Sequence, residues 1–256
     1  MTEAKQQAIA VITGGSRGLG KSMALHLAER GVDSIITYRS AVKEAEAVVA
    51  EIASKGRQAV ALALEAGDSS SFAAFAEALK SALGRTWQRQ NFDFLVNNAG
   101  FGAHASFART TEAQFDELMN VHLKGPFFLT QTLLPLISDG GRILNVSSGL
   151  ARFTSPGFAA YATMKGGIEV LTRYLAKELG ARKISVNTLA PGAIETDFGA
   201  GAVRDNSELN QQIASATALG RVGLPDDIGS AVAMLLSPES GWINGQRIEV
   251  SGGQML

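Results

Sequence analysis

The sequence predicts one α/β domain, residues 1–256, built on a doubly wound parallel sheet of about seven strands with helices on both faces. Short apolar segments, such as residues 8–12 and 34–38, alternate with longer amphipathic segments. Strands that alternate with helices of about 10–15 residues form parallel sheets through right-handed crossovers. A glycine-rich turn joins the first strand to the first helix, and no linker, repeat or low-complexity segment interrupts the chain.

The first half of the chain is predicted to form four strands and three helices. A strand buried on both faces is a continuous apolar run, as residues 8–12 are, and further strands are predicted at residues 34–38, 59–64 and 92–96. The first helix ends at Gly31, and an amphipathic helix covers residues 42–55. Asp68 or Ser69 caps the third helix, which runs to about Leu83.

The second half adds a long helical region from Thr111 to Ile137, which Gly125-Pro126 should bend or restart because proline removes a helix hydrogen bond. We expect the remaining strands at residues 141–146, 184–189 and 246–250, and further helices over residues 159–180 and from Pro225. Residues 193–215 are rich in glycine and polar groups, which predicts a mobile lid over the site.

The composition argues against several classes of function. The formal net charge is -1 and the basic residues are scattered, so we expect no nucleic-acid partner. No segment is long and apolar enough to span a membrane, and the polar start does not resemble a signal peptide. Cysteine is absent, in agreement with a reducing cytoplasm. His26, His104 and His122 show no ligand spacing, so we expect no metal.

The glycine-rich turn, residues 13–20, follows a strand and opens a helix. Backbone N–H groups and a helix N-terminus can hold a pyrophosphate there, and glycine allows its close approach. The alternative is an ordinary tight turn between strand and helix. Three glycines in this context favour a dinucleotide site.

The end of the second predicted strand favours NADP(H) over NAD(H). An acidic residue about 20 positions beyond the turn would bind the ribose 2′-hydroxyl of NAD. Counting 20 from Gly18 gives Tyr38, and Arg39 follows it. Arg39 and Arg17 could both bind a dianionic 2′-phosphate, although both could instead be solvated surface residues.

Tyr161 and Lys165 lie four residues apart on a predicted helix, and so project from the same face. An ammonium near a phenol favours the phenolate, so the tyrosine pKa is expected to fall from about 10 toward neutrality. Such a phenol can act as a general acid or base. Ser148 stands where the fifth strand ends, the edge at which ligands bind in such sheets. Alone, the pair could be a surface pair and the serine a turn residue.

Together these motifs resemble the classical short-chain dehydrogenase/reductase family from Ala8 to Gly253. The resemblance rests on the glycine turn, Asn97-Asn98-Ala99-Gly100, Ser148, Tyr161 with Lys165, and Pro191-Gly192 with Thr196. It implies a Rossmann-type fold, hydride exchange between a nicotinamide cofactor and a carbonyl or alcohol, and a homotetramer. It assigns catalysis to Ser148, Tyr161 and Lys165. The predicted cofactor-binding residues are Gly14, Ser16, Arg17, Gly18, Leu19, Gly20, Tyr38, Arg39, Ser40, Glu65, Ala66, Asn98, Ala99, Gly100, Tyr161, Lys165, Pro191, Gly192, Ile194 and Thr196.

One position departs from the family pattern. The family places a catalytic asparagine on the long central helix, and register puts His122 there, with Asn120 two residues earlier. Residues two apart on a helix face different directions, so Asn120 cannot take that place. A neutral His122 imidazole could bind the water that connects Lys165 to solvent, or His122 could only pack.

The substrate pocket is expected to be mainly apolar, which favours a small hydrophobic ketone or aldehyde, or the corresponding alcohol. We expect it to be lined by Phe101, His104, Leu150, Phe153, Phe158, Phe198 and residues 202–210. Phenylalanines could equally belong to the core. A 3-oxoacyl carrier-protein reductase is the alternative enzyme, although the turn before the fifth strand, Ser138-Asp139-Gly140-Gly141, is not basic. A non-catalytic NADP(H)-binding sensor is the alternative of another class.

Overall fold

The computed structural model describes residues 7–256. In this range the strands are β1 (Ile9–Ile12), β2 (Asp33–Tyr38), β3 (Ala59–Ala63), β4 (Phe92–Asn97), β5 (Ile137–Val146), β6 (Ser185–Pro191) and β7 (Arg247–Val250). The α-helices are α1 (Gly18–Glu29), α2 (Val42–Ser54), α3 (Phe72–Trp87), α4 (Glu112–Met119), α5 (Gly125–Leu133), α6 (Ala159–Glu178), α7 (Ala202–Asp205), α8 (Ser207–Ser215) and α9 (Pro225–Leu235).

The seven strands of residues 7–256 form one parallel sheet in the order β3-β2-β1-β4-β5-β6-β7. The chain winds outward in one direction from β1 to β3 and in the other from β4 to β7. The connection that follows β1 and the connection that follows β4 therefore run in opposite directions, which leaves a crevice between them at the C-terminal strand ends. The predicted doubly wound sheet is confirmed.

Alternate residues of each strand enter two separate cores because successive side chains point to opposite faces. In β1, Ile9 and Val11 pack with α3, α5 and α6, whereas Ala10 and Ile12 pack with α1, α2 and α9. All four residues are fully buried. The continuous apolar runs in the sequence reflect this burial on both faces.

The predicted helical region from Thr111, with a bend or restart at Gly125-Pro126, is confirmed as far as Leu136 and is wrong at Ile137. Thr111 caps α4, a π-helical segment (Asn120–Lys124) follows, α5 ends at Leu133, and Ile137 already belongs to β5. Pro126 supplies no N–H to the helix, so the α-helical hydrogen-bond pattern is broken one turn before it. The interruption places the π-helical segment beside α6 and the site.

The predicted lid segment, residues 193–215, is largely helical, with a 3₁₀ turn (Phe198–Gly201) followed by α7 and α8. Its mobility stays a prediction. In the described part of the chain, no helix has both the length and the apolar character needed to cross a membrane. The polar start of the chain, residues 1–6, lies outside the described residues.

Candidate active site

The glycine-rich turn and the loop after β4 form the two walls of the crevice. Thr13 connects them, because its Oγ1 accepts hydrogen bonds from the backbone N–H groups of Asn98 and Ala99, both at 2.9 Å. The Asn98 side chain donates in return to the Thr13 carbonyl at 2.8 Å. A Cβ on Gly20 would lie 2.2 Å from the Gly14 carbonyl oxygen, so only glycine allows this turn. The narrow backbone cradle fits a dinucleotide pyrophosphate. Sequence reasoning included Thr13 in the motif but missed this connecting role.

The two arginines predicted at the adenosine end are both largely exposed. Arg39 Nε lies 3.9 Å from Glu65 Oε2, and Arg17 Nη1 lies 3.9 Å from Asp197 Oδ2. Both arginine side chains are 71% exposed. These loose contacts leave the guanidinium groups accessible to a ligand.

The other predicted cofactor residues lie at the same edge of the sheet. Ser16 and Leu19 belong to the turn and to α1, Tyr38 and Ser40 lie at the end of β2, and Ala66 lies in the loop after β3. The loop after β6, which contains Gly192, Ile194 and Thr196, closes the crevice on its far side. Thr196 lies beside Gly18, and Gln254 Oε1 accepts a hydrogen bond from the Ala193 N–H at 2.9 Å. Gln254 was not predicted; no sequence motif marks it.

Ser148, Tyr161 and Lys165 come together where β5 ends against α6. The Ser148 hydroxyl lies close enough to the Tyr161 phenol to lower the pKa of that phenol. Lys165 Nζ donates to the Val146 carbonyl at 2.8 Å and lies 5.5 Å from the centroid of the Tyr161 ring. Tyr161 and Lys165 are only 6% and 5% exposed, respectively. The three predicted groups therefore form one buried cluster.

Burial dominates the proton affinities of this cluster. It raises the pKa of the Tyr161 phenol above its ordinary value, which a hydrogen bond from Ser148 opposes. Burial also lowers the pKa of Lys165 to about 7. The prediction that the pKa of Tyr161 falls toward neutrality is therefore wrong for the protein without bound ligands. The physical reason is that burial disfavours the charged form of the Tyr161 phenol. Lys165 is desolvated as well, so its charge is only partly present at neutral pH.

His122 lies against Tyr161, with the ring centroids 5.1 Å apart and the planes at 83°. Its Nε2 lies 2.9 Å from the Phe101 carbonyl oxygen and 3.4 Å from the Phe101 backbone nitrogen. We assign the proton to Nε2, which then donates to the nearer carbonyl, and this assignment leaves Nδ1 unprotonated. Nδ1 is buried and has no hydrogen-bond partner within residues 7–256. Burial, and secondarily the charge of Lys165, lowers the pKa of His122 to about 3, so the imidazole is neutral.

Asn120 does not share the position of His122. Asn120 instead lies beside the loop after β3: a Cβ added to Gly67 in that loop would be 3.9 Å from the Asn120 Cβ. This agrees with the expectation that Asn120 cannot replace the family's asparagine. The role of His122 as a relay residue stays a prediction.

Aromatic side chains surround the Tyr161 ring on the substrate side. The ring centroids of Phe198 and Phe158 lie 5.7 Å and 6.5 Å from that of Tyr161, and Phe101 packs against His122. Leu150 also packs in this cluster, and His104 contacts the edge of Phe158. Phe153 differs from the prediction, since it packs on Gly149 and Arg152. Most of the predicted apolar lining therefore borders the reactive phenol.

Known proteins are similar to this chain along nearly its whole length. A family model described as enoyl-(acyl carrier protein) reductase matches residues 14–255. The hydroxynaphthalene reductase-like protein Arp2 of Metarhizium brunneum is 36% identical over 259 residues, covering 96% of this chain and 94% of that protein. The 3-oxoacyl-[acyl-carrier-protein] reductase FabG of Staphylococcus aureus is 37% identical over 249 residues, covering 96% and 98%.

Among solved structures, the angucycline C-6 ketoreductase LanV with bound NADP has a TM-score of 0.92 and 34% identity, covering 97% of this chain and 95% of that chain. These relatives are named as reductases, and LanV holds a nicotinamide cofactor. The similarities agree with three features of this structure: the parallel sheet, the glycine cradle and the cluster of Ser148, Tyr161 and Lys165. The chain belongs to the short-chain dehydrogenase/reductase family of NAD(P)-dependent oxidoreductases.

Proposed function

We propose that this protein is an NADPH-dependent ketoreductase in which Tyr161 donates a proton to the carbonyl oxygen of a hydrophobic, aromatic ketone. The observation that carries the proposal is the buried Tyr161 phenol, which lies beside Ser148 and is faced by Phe158 and Phe198. A phenol in this place can supply a proton to an oxygen at the end of β5. In the reverse direction the same group accepts the proton of an alcohol.

In the proposed reaction, nicotinamide supplies a hydride to the carbonyl carbon when it is bound. Tyr161 transfers its proton to the carbonyl oxygen, so the product is the neutral alcohol. Ser148 donates a hydrogen bond that stabilises negative charge developing on that oxygen. Lys165 favours the tyrosinate that remains, because a nearby cation lowers the cost of its charge. The cradle of Gly14, Asn98 and Ala99, with its flanking residues, would hold the dinucleotide.

The preference for NADPH rests on the charge at the end of β2. Tyr38 occupies the position where an acid would repel a 2′-phosphate, and Arg39 and Arg17 are both accessible. Their guanidinium groups can form bidentate hydrogen bonds with a dianionic phosphate. LanV, which is similar over nearly the whole chain, is described with bound NADP.

The aromatic lining supports a planar substrate. Phe198, on the lid, is 42% exposed and faces Tyr161, so it can cover a ring that enters the site. Arp2 and LanV carry names that refer to hydroxynaphthalene and angucycline reduction, respectively. We propose a fused-ring aromatic ketone for this chain.

The direct test is the oxidation of NADPH and of NADH with a fused-ring aromatic ketone, an aliphatic ketone and a 3-oxoacyl thioester. We expect turnover with the aromatic ketone and NADPH, and its loss in Tyr161→Phe. Arg39→Ala should weaken NADPH binding more than NADH binding, whereas Lys80→Ala, which removes a surface charge on α3, should change neither. Equal affinity for both cofactors in the wild type would contradict the NADPH assignment.

The same panel separates the alternatives. Preferred turnover of the thioester would favour a 3-oxoacyl carrier-protein reductase, a possibility raised by the similarity to FabG. Tight NADPH binding without turnover of any carbonyl would favour a sensor. The presence of Ser148, Tyr161 and Lys165 in one cluster supports the enzyme.

We also propose a homotetramer built on α4, α5 and α6. These helices expose apolar side chains of the kind that subunit interfaces cover: Phe115, Phe127, Phe128, Val170 and Tyr174. Light scattering at a monomer mass would contradict this proposal. The cytoplasmic location stays a prediction.

A further inference from the structure

Four charged side chains form a connected cluster between the edge strand β7 and the Ser147-Ser148 end of β5. They are Arg152, Glu169, Arg247 and Glu249, here called the β7 network. Their side chains are between 14% and 38% exposed, so the cluster is partly buried and Arg152 is its most exposed member. Partly buried ion pairs are screened less by salt than surface pairs. No motif that supports the proposed function includes these four residues.

Arg247 is the centre of the β7 network. Its Nε donates to Glu169 Oε1 and its Nη1 to Glu249 Oε2, both at 2.7 Å. Its Nη2 donates to the backbone carbonyl of Ser148 at 3.3 Å. The planar guanidinium thus uses all three of its nitrogens, a geometry that lysine cannot reproduce.

Glu169 holds the residue before Ser148. Its Oε1 accepts a hydrogen bond from the Ser147 hydroxyl at 2.7 Å, and the same hydroxyl lies 3.2 Å from the Lys165 carbonyl oxygen. Arg247 binds Ser148 through its carbonyl, so two neighbouring residues are held from the same side. The Ser148 hydroxyl oxygen accepts a hydrogen bond from the Leu150 N–H at 3.2 Å, and its own proton is left to donate toward Tyr161 or the substrate.

Glu249 extends the β7 network to the C-terminal segment. Arg152 binds both carboxylate oxygens of Glu249 at 2.7 Å, and it donates to the carbonyls of Gln254 and Met255 at 2.9 Å and 3.2 Å. Gln254 in turn contacts the loop after β6 through the Ala193 N–H. The edge strand is therefore connected to the catalytic serine on one side and to the loop after β6 on the other.

We propose that Arg247 is a positioning residue, which with Glu169 fixes the Ser147-Ser148 backbone so that the Ser148 hydroxyl is aligned with Tyr161 and the substrate oxygen. This inference rests on the proposed function. A small displacement of an oriented group is costly because catalysis depends on alignment rather than on contact alone. The contacts of Arg247 are with Glu169, Glu249 and the Ser148 backbone, so we assign it no direct role toward substrate or cofactor.

The test compares Arg247→Met with Arg182→Met. Arg182 makes the same number of hydrogen bonds, to Asp139 and to the carbonyls of Leu134 and Ile137, but near the opposite end of β5. With the aromatic ketone and NADPH, we expect Arg247→Met to lower kcat by about 10- to 100-fold, whereas KM and the NADPH Kd change little. Arg182→Met should leave kcat unchanged. Arg247→Lys should recover part of the loss, and it covers the case in which Arg247→Met fails to fold.

A second measurement separates positioning from general stability. In a Ser148→Ala background, Arg247→Met should cause no further loss of kcat, because the group that it positions is gone. Unchanged kcat in both Arg247 variants, or an undiminished loss in the Ser148→Ala background, would overturn the inference while wild-type turnover still supported the proposed function. Absence of turnover in the wild type would overturn the proposed function and this inference with it.

Discussion

Lys165→Met should stabilise the fold relative to the wild type near neutral pH while it impairs catalysis. Lys165 is 5% exposed, and burial lowers its pKa to about 7. Below the pKa that it has in the unfolded chain, protonated lysine favours the unfolded state because water solvates the charge better. Methionine has a similar unbranched shape and carries no charge.

The size of the effect follows from the two pKa values. A lysine with a pKa of about 7 when folded and about 10.4 when unfolded lowers the free energy of unfolding by about 4 kcal/mol at about pH 7. At about pH 9.5 the folded lysine is neutral and the penalty falls to about 1 kcal/mol. Methionine also leaves the Val146 carbonyl without its partner, which costs about 1–3 kcal/mol at either pH. That cost cancels when the two pH values are compared.

Urea unfolding of both proteins at the two pH values measures this comparison. We expect the stability of the wild type, relative to Lys165→Met, to rise by about 3 kcal/mol between about pH 7 and about pH 9.5. His122 titrates well below this range, and the pKa of Tyr161 is raised, so neither group interferes. A stability difference that does not vary with pH would refute the idea that Lys165 is a desolvated cation.

Three further substitutions probe the surroundings of the cluster. Gly100→Ala would place a Cβ 2.6 Å from His122 Cε1, so turnover should fall although NADPH still binds; full activity would contradict the packing. The Arg152 guanidinium holds the pKa of Glu249 at about 2, so its carboxylate stabilises the fold above its ordinary pKa and loses this effect as the pH falls toward 2. Glu249→Gln should therefore flatten the acid-unfolding curve between about pH 4.5 and about pH 2 by circular dichroism, and an unchanged curve would be inconsistent with that ion pair. Phe198→Ala should raise KM for the aromatic ketone by about 3- to 10-fold, and an equal rise for an aliphatic ketone would argue against ring contact.

Much of the fold could be predicted because local patterns and global packing agree. The first strand, which is buried on both faces, is an uninterrupted apolar run, and each of the seven predicted strands overlaps one in the structure. The exception is Ile137, which was predicted as the end of a helix and begins β5. Proline lets an α-helix restart as readily as bend, and the apolar residues after it suit either a helix or a buried strand.

The site was predictable where its residues are adjacent in sequence, as Tyr161 and Lys165 are on α6. The tyrosine pKa was not, because spacing shows proximity but does not show desolvation. Gln254 and Arg247 lie far along the chain from the loops that they contact. A contact made by an edge strand or a chain end depends on tertiary packing and leaves no periodic signal.

The measurement that bears most directly on the account is the fate of deuterium from NADPH labelled at C4 on either face, with a fused-ring aromatic ketone as acceptor. The account requires one of the two labels to appear on the carbinol carbon of the product formed by the wild type. Tyr161→Phe should bind NADPH as tightly and form almost no labelled alcohol. Alcohol formed at the wild-type rate by Tyr161→Phe, or unlabelled alcohol from both labelled cofactors, would contradict it.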